Sequence, residues 1–178
     1  MKYARRAAIG LACFAAGALS HAGLAQGRKP AFDAAMFEGS APAVGTRMLE
    51  GALLLAEDGS WERIAVGRAW YLGGDKDKGQ QIFDGVTSGR KVEGSDWFRI
   101  GRVYAEAGEW PKAVAAFDKA MAMNADDDSG SIEYGAFANV NDDRTKAEAL
   151  FRTAMQKKPK EFLHWVNAGG SYLGVKPQ

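Results

Sequence analysis

Cysteine occurs once in this 178-residue chain, and histidine twice. The one thiol, Cys13, lies in an N-terminal segment that reads as a signal peptide. Its removal leaves no disulfide, no thiol nucleophile and no cysteine-based zinc site. The same cleavage takes His21 and leaves His164 between Leu163 and Trp165, a residue for packing or the surface rather than a general base. Gly-rich phosphate loops, paired-histidine helices and serine elbows are also missing. These absences argue against an enzyme and against any cofactor. An excess of one charge is lacking too. The whole chain has 23 basic and 22 acidic residues, and loss of Lys2, Arg5 and Arg6 leaves 20 against 22, a formal charge of −2. Such a surface gives no electrostatic reason to hold nucleic acid or anionic lipid.

The signal peptide covers residues 1–25. Lys2, Arg5 and Arg6 form its basic start, Ala7 to Leu19 its apolar run, and Ala22 or Ala25 its cleavage site. That run is shorter than the roughly 20 residues a membrane-crossing helix needs, so no membrane insertion is expected after cleavage. The compact basic start points to a bacterial envelope, with the protein periplasmic or secreted. Residues 26–43 contain Gly, Pro and Ser without periodicity and read as a flexible lead-in.

What the chain does have is a period. Gly67, Gly101, Gly135 and Gly169 stand 34 residues apart. Phe83, Phe117 and Phe151 repeat the interval, each sixteen residues after a ladder glycine, and Trp97 and Trp165 lie two periods apart. A 34-residue period is that of helix–turn–helix repeats. Phe98, Ile100, Val103 and Tyr104, then Val114, Phe117, Ala120 and Met121, fall at helical spacing. Gly108 and Pro111 mark the end of one helix and the first turn of the next. A glycine inside a helix costs roughly 1 kcal/mol against alanine, so four in register imply a packing reason. In this register Gly45, Leu49 and Ala52 hold the positions of Ala113, Phe117 and Ala120. The helix expected over residues 44–56 is therefore a half-unit covering the first full one.

The unit at residues 94–127, with Trp97, Ile100-Gly101, Tyr104, Ala113, Phe117 and Ala120, resembles the tetratricopeptide repeat (TPR). Residues 128–161 keep Tyr134-Gly135, Ala147, Phe151, Ala154 and Pro159 in the same register. Residues 60–93 keep Val66-Gly67, Trp70 and Phe83, with Gly79 and Val86 replacing the small alanines. A terminal helix over residues 162–174 carries Trp165, Ala168-Gly169 and Tyr172. The resemblance implies an all-α fold: a right-handed α-solenoid of antiparallel helix pairs over residues 44–178, about three units with terminal half-units. The glycines at residues 85, 89 and 94 suggest that the second helix of the first unit ends by about Val86.

The resemblance also implies a concave face lined by the first helix of each unit. Its inward positions here are Trp61, Ile64, Arg68 and Tyr71, then Ser95, Phe98, Arg102 and Ala105, then Ile132, Ala136 and Asn139. Arg68 and Arg102 share a repeat position and could grip a carboxylate or acidic peptide between aromatic contacts. Ile64 and Arg68 stand where chaperone-binding members carry Lys and Asn, a departure from their clamp. The expected function is a non-catalytic scaffold that binds a peptide or helix of another envelope protein in this groove.

Phe162, Leu163, Trp165 and Val166 in the last helix form a second candidate surface, for docking or for joining copies into a homo-oligomer. By register Trp165 packs backward, leaving Phe162 and Leu163 partly exposed. The acidic run Asn124 to Gly130 is a poor calcium loop, because Ser129 stands at its required glycine and Gly135 at its bidentate glutamate. No metal site is expected. Its acids favour the positive end of the helix that follows, as Asp142-Asp143 do later.

Overall fold

The computed structural model describes residues 31 and 33–177. The expected signal peptide, with residues 26–30 and 32 of the expected lead-in, lies outside the described residues. Those that are described are helical, without strands. A short 3-10 helix, Ala34–Phe37, precedes α1 (Ala41–Leu55). Then follow α2 (Ser60–Leu72), α3 (Lys76–Thr87), α4 (Gly94–Glu106), α5 (Trp110–Met123), α6 (Asp128–Val140), α7 (Arg144–Lys157) and α8 (Phe162–Tyr172). The helix expected from residue 44 begins at Ala41, since Pro42 fits a first turn, where no N–H is needed. The second helix of the first unit, expected to end by about Val86, ends at Thr87, and α4 already begins at Gly94.

The 34-residue period survives in the architecture. The helices α2, α4, α6 and α8 start at residues 60, 94, 128 and 162, and α3, α5 and α7 at 76, 110 and 144. The closest packing is α2 on α3, α4 on α5 and α6 on α7, and first helices also meet across units, α2 with α4 and α6 with α8. The three turns inside the pairs are built alike. Gly74, Gly108 and Asp142 hold the left-handed conformation, with φ of +107°, +74° and +65°. The next amide then reaches back to the helix it leaves: Asp75 to Trp70, Glu109 to Tyr104 and Asp143 to Ala138, at 3.0, 2.8 and 2.9 Å. Asp75 and Asp143 also cap the second helix, accepting from the amides of Lys78 and Lys146.

The glycine ladder is the packing device. A Cβ on Gly67 would lie 2.6 Å from Phe83, one on Gly101 2.7 Å from Phe117, and one on Gly135 2.6 Å from Phe151. Each phenylalanine therefore lies directly on the backbone of the first helix in its own unit. Gly79, Ala113 and Ala147 are the small residues on the second helix at the same crossing. In the first unit a Cβ on Gly79 would sit 2.8 Å from the Gly67 carbonyl. Phe83, Phe117 and Phe151 also reach the next unit, their rings 6.0 Å from Tyr104, 4.8 Å from Tyr134 and 6.2 Å from Tyr172.

Gly169, the fourth rung, has no described neighbour within 4 Å of the place a Cβ would take. This contrast gives a pair of opposite outcomes for one substitution. Gly101→Ala forces Phe117 out of its seat and should destabilise by about 1–2 kcal/mol after allowing for alanine's better helix propensity. Gly169→Ala meets only open space and should stabilise by up to about 1 kcal/mol. Urea titrations of both variants read the two signs directly.

Candidate functional site

The inner-face residues expected from the sequence do not make one open surface. Ile64, Tyr71, Phe98 and Ile132 are buried, at 3, 2, 7 and 0% exposure, and Ala105 and Ala136 are buried with them. This corrects their expected role as groove contacts: Ile64, Tyr71 and Phe98 belong to the main apolar cluster, and Ile132 belongs to the next. Phe98, for example, meets Phe117 at 4.9 Å between ring centres. The physical reason is the tight crossing of the two helices in each unit, which closes over these positions.

The polar members are engaged as well. Arg68 of α2 pairs with Glu106 of α4 at 2.7 Å. Arg102 of α4 donates through two nitrogens to both carboxylate oxygens of Glu133 on α6. Burial pushes the Glu133 carboxyl above the usual range, against the opposing pull of Arg102. Asn139 of α6 donates to the Ser171 hydroxyl of α8 at 3.0 Å. Successive first helices are thus tied by one polar bridge each. Trp61 stands well out from this set, at 60% exposure, with the Arg99 guanidinium 5.9 Å from its ring centre, and Arg68 and Ser95 are also exposed. The spacings of the acids differ, 38 residues from Arg68 to Glu106 and 31 from Arg102 to Glu133, so the repeat register could not find them. Removing Arg102 as Arg102→Ala leaves Glu133 buried and unpaired. That should lower stability by about 2 kcal/mol, read as a fall in the urea midpoint at neutral pH.

Two further charge clusters tie the units together on the side of the second helices. The Tyr71 hydroxyl donates to Glu109 at 2.6 Å and accepts from Lys112 at 3.0 Å, while Lys76 also bonds Glu109. Tyr134 repeats the arrangement, donating to Asp118 at 2.7 Å and accepting from Lys146 at 2.8 Å. Hydrogen bonds from Lys112, Lys76 and Tyr71 hold the Glu109 carboxyl down from 4.5 to about 2. A depressed carboxylate stabilises the fold above pH 4.5, and that contribution is lost as pH falls toward 2. Glu109→Gln should therefore cost about 1–2 kcal/mol at pH 7 and little at pH 2. Thermal unfolding of both proteins across that range measures the convergence.

The remaining candidates for chemistry have structural employment. Asp127 caps α6 through the Gly130 amide, and Asp128 bridges Lys157 at the end of α7 and Lys158 just after it, at 3.3 and 3.2 Å. His164 is 1% exposed, and neither ring nitrogen has a hydrogen-bond partner among the described residues. No group of three or more His, Cys, Asp and Glu side chains among them is placed to hold a metal ion. No described helix is long and apolar enough to cross a membrane.

The open surface is at α8. Phe151, Met155, Trp165, Ala168, Gly169 and Tyr172, with Glu148 and Arg152 of α7, line a mainly apolar recess of about 440 Å³. Trp165 corrects the expectation that it packs backward: it is 60% exposed, its indole donating to the Pro159 carbonyl at 2.9 Å. Its counterpart Trp97 is half-buried, with the Lys119 ammonium of α5 4.0 Å from the ring centre. The described residues give α8 no second helix to play the part of α5. Val166 shows the same lack: 47% exposed, it occupies the position of buried Phe98 and Ile132.

No family model, curated protein or solved structure matches the chain. Its function is therefore argued from this geometry. The recess at α8 was only half legible. The exposed Phe162 and Leu163 agree with the sequence reading, whereas the vacant place over Gly169 is announced by a fourth glycine with no fourth phenylalanine.

Proposed function

We propose that this protein is a non-catalytic protein–protein interaction scaffold, a TPR-like right-handed α-solenoid of antiparallel helix pairs exported to the bacterial envelope. Its docking surface is the apolar recess on α8, and its ligand is an amphipathic helix that sets an apolar side chain over Gly169. One observation carries this reading: three ladder glycines lie beneath a phenylalanine, and the fourth lies bare within an apolar recess. A helix seated there would complete the crossing already made three times in the chain. The inner-face arginines support a groove less well. An acidic peptide would have to displace Glu106 and Glu133 from Arg68 and Arg102.

A photo-crosslinking residue placed at position 169 in cells tests the surface, because the open space there leaves the fold unstrained. The expected result is a covalent adduct to a protein segment, lost when the probe moves to Gln156, an exposed position outside the recess. Equal adducts at both positions, or none at 169, would overturn the reading.

A further inference from the structure

The occupant of that recess can be read from the other end of the fold. We propose that a second copy of this chain fills it, its α1 lying against α8 as the second helix of a completed unit. The inference rests on α8 being a docking end.

Three observations carry it. First, α1 already behaves as a second helix toward the unit that follows it. Glu50 of α1 pairs with Lys78 at 3.2 Å, as Asp118 of α5 pairs with Lys146 at 3.4 Å two periods later. Leu49 packs into the cluster of Val66 and Trp70, and its counterpart Phe117 meets Tyr134, the counterpart of Val66. Second, the small residue of α1 at the crossing position is uncovered, lining an open recess with Leu49 and Trp70. Gly45 has no described neighbour within 4 Å, whereas Gly79 at that position is pressed against α2, and Ala113 and Ala147 are fully buried. Third, the two bare glycines belong to one crossing. In the first unit, position 79 on the second helix lies on the carbonyl of position 67 on the first. Gly45 and Gly169 are those same two positions, separated from their partners by missing halves.

The register brings complementary side chains together. Leu49 of the incoming copy takes the place over Gly169 that Phe83 takes over Gly67. A Cβ on Gly94 would lie 3.4 Å from that of Met123, and the equivalent pair in the joint is Phe162 with Leu55. These two are 72 and 55% exposed in the single chain. α7 brings two charges to the joint, Glu148, held by Arg144 at 2.7 Å, and the exposed Arg152. From Phe162 to Tyr172, α8 has no Asp, Glu, Lys or Arg. The two charges of α1 are already engaged, Glu50 by Lys78 and Arg47 by the carbonyls of Met36 and Glu38. Within one chain α1 packs on α2 while α8 packs on α6 and α7, so the joint forms between copies. It is heterologous, head to tail, and extends into a ring or a filament.

Sedimentation velocity of the full chain over a concentration series tests this, with two variants that each block one face. Gly169→Trp fills the α8 side and Gly45→Trp the α1 side, and the open space at both leaves each variant folded as wild type by circular dichroism. Wild type should grow in mass with concentration, while each variant alone associates at least about tenfold more weakly. An equimolar mixture should stop at a dimer, because each partner retains one competent face. A mixture that stays monomeric, or a Gly45→Trp variant that assembles as wild type does, overturns head-to-tail joining. A monomeric wild type whose position 169 crosslinks to a different protein overturns the second copy but keeps the docking end. The absence of any adduct at 169 removes both.

Discussion

A phenylalanine ring resting on a glycine is the contact on which the rest of this molecule depends. It lets the two helices of a unit approach so closely that no Cβ fits between ring and backbone. The same ring extends outward to a tyrosine of the next unit, so one residue fixes both the crossing within a pair and the spacing between pairs. Stability in such an array is approximately a sum of unit and interface terms. Phe83, Phe117 and Phe151 contribute to both, and each is nearly or fully buried. A ladder of this kind tolerates no side chain at Gly67, Gly101 or Gly135, and that intolerance is why the period is so regular in the sequence.

The polar bridges follow from that close approach rather than directing it. Once Tyr71 and Tyr134 are drawn into the interior, their hydroxyls need partners, since a buried hydroxyl without one is costly. Glu109 with Lys112, and Asp118 with Lys146, supply them. On the first-helix side the bridges change chemistry from unit to unit, from Arg68–Glu106 through Arg102–Glu133 to Asn139–Ser171. What is held constant is that each first helix is tied to the next. The arginines thus act as fasteners between units, with their charges already spoken for.

The glycine and phenylalanine ladders made the helix order and the starts of the units legible, because a contact required in every unit leaves a residue in every unit. Turn chemistry was legible in part: Gly108 declares its left-handed turn, while Asp142 adopts the same conformation without glycine's signature. The first-helix face was misread at Ile64, Tyr71, Phe98 and Ile132, since helical spacing places a residue on a face but does not say how far the neighbouring helix closes over it. The acids opposite Arg68 and Arg102 were invisible for another reason. They come from different turns of the following helix, so no single interval finds both. Trp165 was misplaced because its register predicts a neighbour that the described structure does not contain.

The state of α8 distinguishes an end that is finished from one that is not. A helix that closes an array normally turns charged or polar residues outward, because that face has only water to meet. α8 does the reverse. It carries no Asp, Glu, Lys or Arg, and leaves Trp165 and Val166 outward at positions that complete units bury or half-bury. At the other end, α1 has secured its contacts with the unit beyond it and left open space at Gly45, the residue that a first helix would meet by register. The two ends therefore fail in complementary ways, one lacking a second helix and the other a first. Two unrelated surface defects would have no reason to match in register, whereas two halves of one crossing must.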